Sequence, residues 1–378
     1  MKYTVTFKKR ASGLSGYVLV SRILALILSA GIVAIVLLLT LTDKSKIGQA
    51  LDRLFLSRFI TLRGIKMMLQ DAIPLLIVTL GIAVAFRMKL WNIGGNGQAV
   101  AGAMFAAAIP IYFPELSAAA YIPLMMLAAI IGGALWASVC AFSKAYGNVN
   151  ETITSLMMNY IAICLGDFLI NGIWKDPQSG FNKAPTLPGN AVLPTMGDTG
   201  ITYAALIAVF LLFVYYILMK KSKWGYEVRV AGENENAAKY AGMPVKRNIV
   251  LAFLVSGAFA GLAGYVVLAG RGNAASFTTS VNDIGFTAVM VAWLSRLHPT
   301  GILFMSLFIA GVKNGCNALQ SFGVDGAFAD FIQGLILFMV LVCDVLTRYE
   351  IKIRRKQPQK QLTESMHKFE AQEETENV

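Results

Sequence analysis

The sequence predicts an all-α, polytopic membrane protein of about ten transmembrane helices, with both termini on the cytoplasmic side. Three observations predict it. Of the 378 residues, 56% are hydrophobic and only 14% charged, whereas a soluble domain carries roughly a quarter charged residues. Apolar runs recur along the chain, and Ile23 to Leu41 alone gives nineteen residues without a charge, about enough to cross a hydrocarbon core of roughly 30 Å. The basic residues fall in short segments between these runs, which is where Lys and Arg mark the cytoplasmic side of a membrane protein.

In chain order the expected spans are 17–41, 66–86, 93–113, 119–143, 152–172, 200–219, 248–270, 282–296, 299–319 and 327–346. All suit tilted helices except the eighth, which is short. The first run exits into Thr42, Asp43 and Lys44 with no small-residue cleavage pattern, so it reads as a retained helix and not a signal peptide. An even number of spans puts both ends on one side, and with that side cytoplasmic 23 of the 33 Lys and Arg lie inside. Segment 42–66 is the exception, with six basic residues outside. Its Leu51, Leu54, Phe55, Phe59 and Leu62 have the spacing of an amphipathic helix lying on the surface. Loop 173–199 carries Pro177, Pro185, Pro188 and Pro194, which exclude a further span, and it reads as a connector. Residues 1–346 thus form the transmembrane domain. Residues 347–378 form a cytoplasmic tail, basic at Lys352 to Lys356 and acidic toward its end, without apolar periodicity and expected to be disordered.

Several function classes drop out. The net charge of +12 follows from topology and calls for no nucleic-acid partner. Cys140, Cys164, Cys316 and Cys343 all lie in apolar segments without CxxC spacing and read as small core residues. His298 and His367 cannot make a metal cluster, so no metal, cofactor or catalytic residue is expected.

Polar residues within the spans are the candidates for a substrate pathway, because polar groups in lipid are costly and usually face a bundle interior or a cavity. Asn92, Asn96 and Gln98, with Gly94, Gly95 and Gly97, stand where a turn becomes the third span. Irregular backbone there suits a cavity wall; a helix cap with close packing is the competing reading. Glu151, Ser155 and Asn159 recur at i, i+4, i+8 on one helical face, with Thr152 beside them. Asn159 suits a ligand hydroxyl or base edge or an interhelical bond, and Glu151, near the helix end, a structural or gating role. In the ninth span Lys313, Asn314 and Asn317 lie toward the outer half. Lys313 alternatively pairs with Asp283. The run Ser256, Gly257, Ala260, Gly261, Gly264 has the spacing of close helix packing.

The one substantial polar island between spans is 220–247. Gly225-Tyr226 reads as a turn; Glu233 to Ala241 as a short helix with Ala237, Ala238 and Ala241 on one small-residue face; Gly242 and Pro244 as its stop. Such a helix fits a groove in another protein.

The run Gly225 to Met243 with Ser256 to Gly264 resembles the coupling-loop region of bacterial ABC importer permeases, in the group serving ribose, other simple sugars, nucleosides and branched-chain amino acids. Leu90 to Gln98, Asn150 to Tyr160 and Gly285 to Ala292 resemble its nucleoside/simple-sugar branch. The resemblance spans about residues 65–345. It implies a permease subunit with an ABC ATPase subunit, a second permease chain, identical or paralogous, and an extracellular solute-binding lipoprotein or periplasmic binding protein as partners. It further implies a multi-pass position in the bacterial plasma membrane. Gly225, Glu227, Arg229, Gly232, Asn234, Ala237, Ala238 and Gly242 would couple to the ATPase. Asn92, Asn96, Gln98, Ser155, Asn159 and Asn317 would line the pathway. The chain has no GxxxxGK[ST] and no Gly-Lys dipeptide, so ATP hydrolysis is expected from the partner. Purine nucleosides are the favoured solute, ahead of ribose or another simple sugar and of a nucleoside-like solute such as riboflavin. The rival classes are an autonomous ion-coupled secondary transporter and an integral-membrane enzyme. The first needs an acid at membrane depth, yet Asp71, Glu151, Asp167, Asp283, Asp330 and Asp344 lie near expected span ends. The second needs clustered acids or a metal set.

Overall fold

A computed structural model describes residues 3–9, 28, 30–35, 37, 38, 44–178, 184–197, 200–271, 278, 281 and 283–355. Most of the expected first span, Asn282 and residues 356–378 lie outside them. The chain divides into two units, Thr40–Gln333 and Met1–Leu39 with Gly334–Val378.

The larger unit is helical. It holds α1 (Leu62–Arg87), α2 (Gly95–Tyr112), α3 (Ala118–Gly147), α4 (Glu151–Asn171), α5 (Ala204–Lys220), α6 (Lys223–Glu233), α7 (Glu235–Tyr240), α8 (Val245–Arg271), α9 (Ile284–Leu294) and α10 (Pro299–Ala318); α11 (Gly326–Arg348) begins in it. Caps fix several starts. The Thr61 hydroxyl accepts from the Gly64 N–H at 3.1 Å, and Asn150 accepts from the Thr152 N–H at 3.0 Å.

The protein is a polytopic α-helical membrane protein. Among the described residues five stretches are long and apolar enough to cross a bilayer: α1, α3, α4, α8 and Pro299–Phe322. A sixth arises if α5 and α6, bent by 67° at their junction, form one span. The expected ten is not reached on this measure. The first turn of α2 carries the polar Asn96 and Gln98, and α9 has 11 residues, a rise of about 16 Å or half a hydrocarbon core.

α1 and α8 are the central helices, with 78% and 72% of their apolar windows buried, against 28% for α4. α8 packs on α1, α2 and α3, and glycine makes this possible. A Cβ on Gly102 of α2 would collide with the backbone of Gly261, one on Gly264 with the Ala99 carbonyl, and one on Gly133 of α3 with the Gly257 carbonyl. The small-residue run of α8 is thus a seam where three helices meet backbone to backbone.

Segment 44–60 is not one surface helix. It is a series of short turns that includes a π-helical stretch, Asp52–Leu56. Leu54 is fully buried, Phe59 stacks on Phe308 at 6.2 Å, and Gly311 and Gly315 of α10 leave room for Phe59 and the Leu54 backbone. Leu54 and Phe59 of its apolar face are therefore spent on α10, while Leu62 is 71% exposed.

In the smaller unit β1 (Tyr3–Lys9) pairs antiparallel with β2 (Tyr349–Arg355), which departs from the irregular tail expected there. Alternation explains it: Val5 and Phe7 lie opposite Ile353 and Ile351, and Lys8 opposite Glu350. The pairing brings residues 3–9 and 349–355 side by side.

The glycine seam makes a direct prediction. Gly102→Val should destabilise the protein by about 1–3 kcal/mol or prevent folding, read as a lowered thermal transition of the detergent-purified protein; an unchanged transition would contradict backbone-level packing.

Candidate functional site

Arg87 ends α1 and α2 begins at Gly95; the turn between them is held by side-chain amides. Asn92, Gln98 and Asn96 are all at most 1% exposed. Asn92 and Gln98 form a reciprocal amide pair at 3.2 and 3.1 Å. Asn92 Nδ2 also donates to Ser256 Oγ of α8 at 2.9 Å, and its Oδ1 accepts from the Gly94 N–H at 3.0 Å. Asn96 Oδ1 accepts from the Gly285 N–H at 2.5 Å, fastening the start of α9 to the start of α2. From α4, Asn159 accepts from the Gly97 N–H at 2.7 Å and donates to the Ile93 carbonyl at 3.0 Å, and Ser155 Oγ accepts from the Ile93 N–H at 3.2 Å. Glu151 pairs with Lys144 at 2.9 Å. The i, i+4 spacing thus does put Ser155 and Asn159 on one face, and that face grips the α1–α2 turn. These amides spend their donors and acceptors on the protein itself.

A cavity lies elsewhere. It has a volume of about 670 Å³ and lies among α1, α8, α9, α10 and the strand-like turn before α5, within the range of small-molecule sites. Asn317 lines it; Asn92, Asn96, Gln98, Ser155 and Asn159 do not. Its polar wall is Lys313, Asn314 and Asn317 from α10, Gln70 and Asp71 from α1, and Thr287 from α9. Thr195 and Thr202, which bridge one another, close one side. Loop 173–199 therefore contributes to a cavity and is more than a connector. Gln70 donates to the Gly200 carbonyl. Among the described residues Lys313 has no carboxylate in ion-pair range, so the alternative pairing with Asp283 does not form. α1 starts at Leu62, so Asp71 stands more than two turns inside the helix and not at its end. The signal for Gln70 and Asp71 was present, two adjacent polar residues in an apolar span; nothing local in the sequence singled out Thr195, Thr202 or Thr287.

The polar island folds at the other end of α1 and α8. Gly225-Tyr226 is not a turn but lies inside α6, because the Ser222 hydroxyl caps the helix by accepting from the Gly225 N–H at 2.9 Å. Gly225 packs where a Cβ would strike the Leu218 carbonyl. Arg229 donates to the Met219 carbonyl, and Glu227 accepts from Asn248 Nδ2 at 2.9 Å. Gly232 lies against the Arg87 carbonyl, with no room for a side chain. Asn234 caps α7 by accepting from the Ala237 N–H at 3.1 Å, and Gly242 follows at φ +72°. The three alanines do not share a face: Ala238 is fully buried, while Ala237 and Ala241 are exposed. Tyr240 beside them is 94% exposed. Arg87 then reaches the α9–α10 turn. Its Nη2 donates to the Leu297 carbonyl at 2.7 Å, and buried Tyr215 donates to the same oxygen at 2.9 Å. Arg296 and Leu297 are both left-handed there (φ +52° and +58°).

Residues 64–341 match the family model described as branched-chain amino acid transport system / permease component. The chain belongs to this family. It is a permease subunit of an ATP-binding-cassette importer, a role distinct from that of an enzyme, and membership implies an ATPase partner and a solute-binding protein. It is similar to a glucose ABC transporter permease of Haloferax volcanii (33% identity; 77% of this chain, 79% of that protein). It is also similar to a nucleoside ABC transporter permease of Lactococcus lactis subsp. cremoris (30%; 77% and 82%) and a guanosine ABC transporter permease of Bacillus subtilis (29%; 72% and 79%).

The amide network and the cavity separate by mutation. Asn159→Leu leaves the buried Gly97 N–H and Ile93 carbonyl without partners and should cost about 1–3 kcal/mol for each, seen as a lowered unfolding temperature. Asn317→Leu, at an exposed cavity position, should leave that temperature within a degree or two. Equal losses would show that both residues are structural.

Proposed function

We propose that this chain forms the translocation pathway for a purine nucleoside in the plasma membrane of a bacterium, paired with a second permease chain, identical or paralogous. The supporting observation is the placement of cavity and dock at opposite ends of the same two helices. On α1 the cavity takes Met67 to Leu75 and the dock takes Arg87, about 20 Å apart at the helical rise. On α8 the cavity takes Val266 to Gly270 and the dock takes Asn248. With the basic polar island cytoplasmic, the cavity opens in the outer half, where a binding protein delivers solute.

The coupling surface is the exposed edge of α7, with Tyr240, Ala237 and Ala241 facing the ATPase. Gly225, Glu227, Arg229, Gly232, Asn234, Ala238 and Gly242 hold that edge in place from within. Closure of the ATPases pushes on α7; α6 bears on Arg87 through Gly232; Arg87 bears on the α9–α10 turn through Leu297. Solute moves by alternating access because the outward and inward states bind their partners with different free energies. The names of the relatives support a nucleoside or sugar as solute, and the cavity volume accommodates either.

In the reconstituted transporter, Tyr240→Ala and Ala237→Arg should cut solute-stimulated ATP hydrolysis by about tenfold or more, as loss of an interface anchor does. The variant chain should still purify as a monodisperse species. Solute uptake by this chain alone, driven by an ion gradient without any ATPase, would overturn the reading.

A further inference from the structure

We infer that a separate pocket, between the first turns of α6 and α8 and the turn that joins α7 to α8, seats the phosphate-bearing headgroup of an anionic membrane lipid. The inference rests on the chain's being a membrane protein and not on which solute it carries. The pocket has a volume of about 510 Å³. Lys223 of α6 and Arg247 of α8 line it; both are exposed, and among the described residues neither has a carboxylate in ion-pair range. Glu227 is the one acid among its lining residues, and its carboxylate accepts from Asn248 Nδ2 at 2.9 Å. Both helices begin at the pocket, so the positive ends of their dipoles add to the two cations. Phosphate answers this arrangement, since the guanidinium fork matches its oxygens and the ammonium serves it as a point charge.

The surroundings point to a phosphate carried by lipid. Leu206, Val209, Phe210, Phe213 and Ile217 of α5 are exposed at i, i+3, i+4, i+7 and i+11, an apolar stripe on one helical face. Leu135, Val139, Phe142 and Tyr146 make a similar exposed stripe on α3. In a membrane protein such stripes meet acyl chains, and both end in basic and aromatic residues beside the pocket. Lys220 Nζ stands 5.6 Å over the Tyr216 ring at the end of the α5 stripe, and Lys246 Nζ of α8 stands 5.4 Å over the Tyr146 ring at the end of the α3 stripe. Trp224 and Tyr226 line the pocket itself. Aromatic rings mixed with Lys and Arg mark the level of the lipid headgroups, and a basic pocket at that level is where an anionic headgroup is held. A lipid seated here has its phosphate between Lys223 and Arg247 and its acyl chains along an apolar stripe already exposed to them.

The test is native mass spectrometry of the detergent-purified full chain, titrated with phosphatidylglycerol or with phosphatidylcholine of the same acyl chains. Phosphatidylglycerol should bind at least ~10-fold more tightly, because only its headgroup carries net negative charge. Lys223→Gln and Arg247→Gln should each weaken it about fivefold, the worth of one basic residue at an anionic surface, and the double variant should bind the two lipids to within ~2-fold of one another. Arg63→Gln/Lys175→Gln removes the same charge from exposed positions outside the pocket, and should leave the preference within ~2-fold of the unaltered protein. Equal binding of the two lipids by the unaltered protein, or an equal loss in that control, overturns the site. Glycerol 3-phosphate, which lacks acyl chains, should compete only at ~100-fold higher concentration or more; competition at equal concentration assigns the pocket to a soluble anion and overturns the lipid. Bound phosphatidylglycerol should persist when the chain is assembled with its ATPase. Its complete displacement would make the pocket part of the ATPase interface and overturn the proposal, while leaving the importer reading standing.

Discussion

The backbone contact of α8 with α2 and α3 is the constraint on which the rest depends. Gly257, Gly261 and Gly264 bring α8 against Gly133, Gly102 and Ala99 with no intervening side chain. Lipid tails supply no hydrophobic drive for helices to associate, so close van der Waals contact must do so. Once α8 is placed by this seam, α1 packs on its other side and the two become the shared axis of the unit. The cavity at one end and the α6–α7 fold at the other inherit their relation from that axis.

A second layer of order is polar. Asn92, Gln98, Ser256, Ser155 and Asn159 come from α2, α4, α8 and the turn before α2, and each side chain finds partners within the protein. Such a network ties helix starts together at one level of the bundle, and Asn96 extends the tie to Gly285 and so to α9. Because a half-satisfied network of this kind is worse than an apolar one, breaking any one of these ties carries a cost. The bent, non-glycine turn at Arg296 and Leu297, held by Arg87 and Tyr215, is where α9 and α10 meet the same level.

Much of this is legible in the sequence. Hydropathy identified the membrane class, the glycine spacing of α8 identified the seam, and Gly242 marked the end of α7, whose start lies two residues after the expected Glu233. Helix spacing also put Ser155 and Asn159 on one face, but spacing does not say what that face meets. An intramembrane amide is read equally as ligand contact or as interhelical bond, and only the partner's position separates the two; here Ile93 and Gly97 are the partners. The cavity wall was half-legible. Lys313, Asn314 and Asn317 stood out in an apolar run, whereas Thr195 and Thr202 reach the cavity through a loop whose path no periodicity encodes. The Gly225 error has a similar origin: a glycine that reads as a turn in isolation is a packing glycine when Ser222 caps a helix through it.

None of the five tryptophans lines the cavity. Trp91 and Trp293 lie 5.3 Å apart against Phe86, at the α1 end that meets α6, and Trp224 lies in the first turn of α6. Three of the five tryptophans therefore stand at the end of the bundle away from the cavity. A change in emission from the Trp91–Trp293 pair when the cavity is perturbed is therefore a signal that has passed along the bundle, which gives this chain a built-in optical readout of long-range motion without a label.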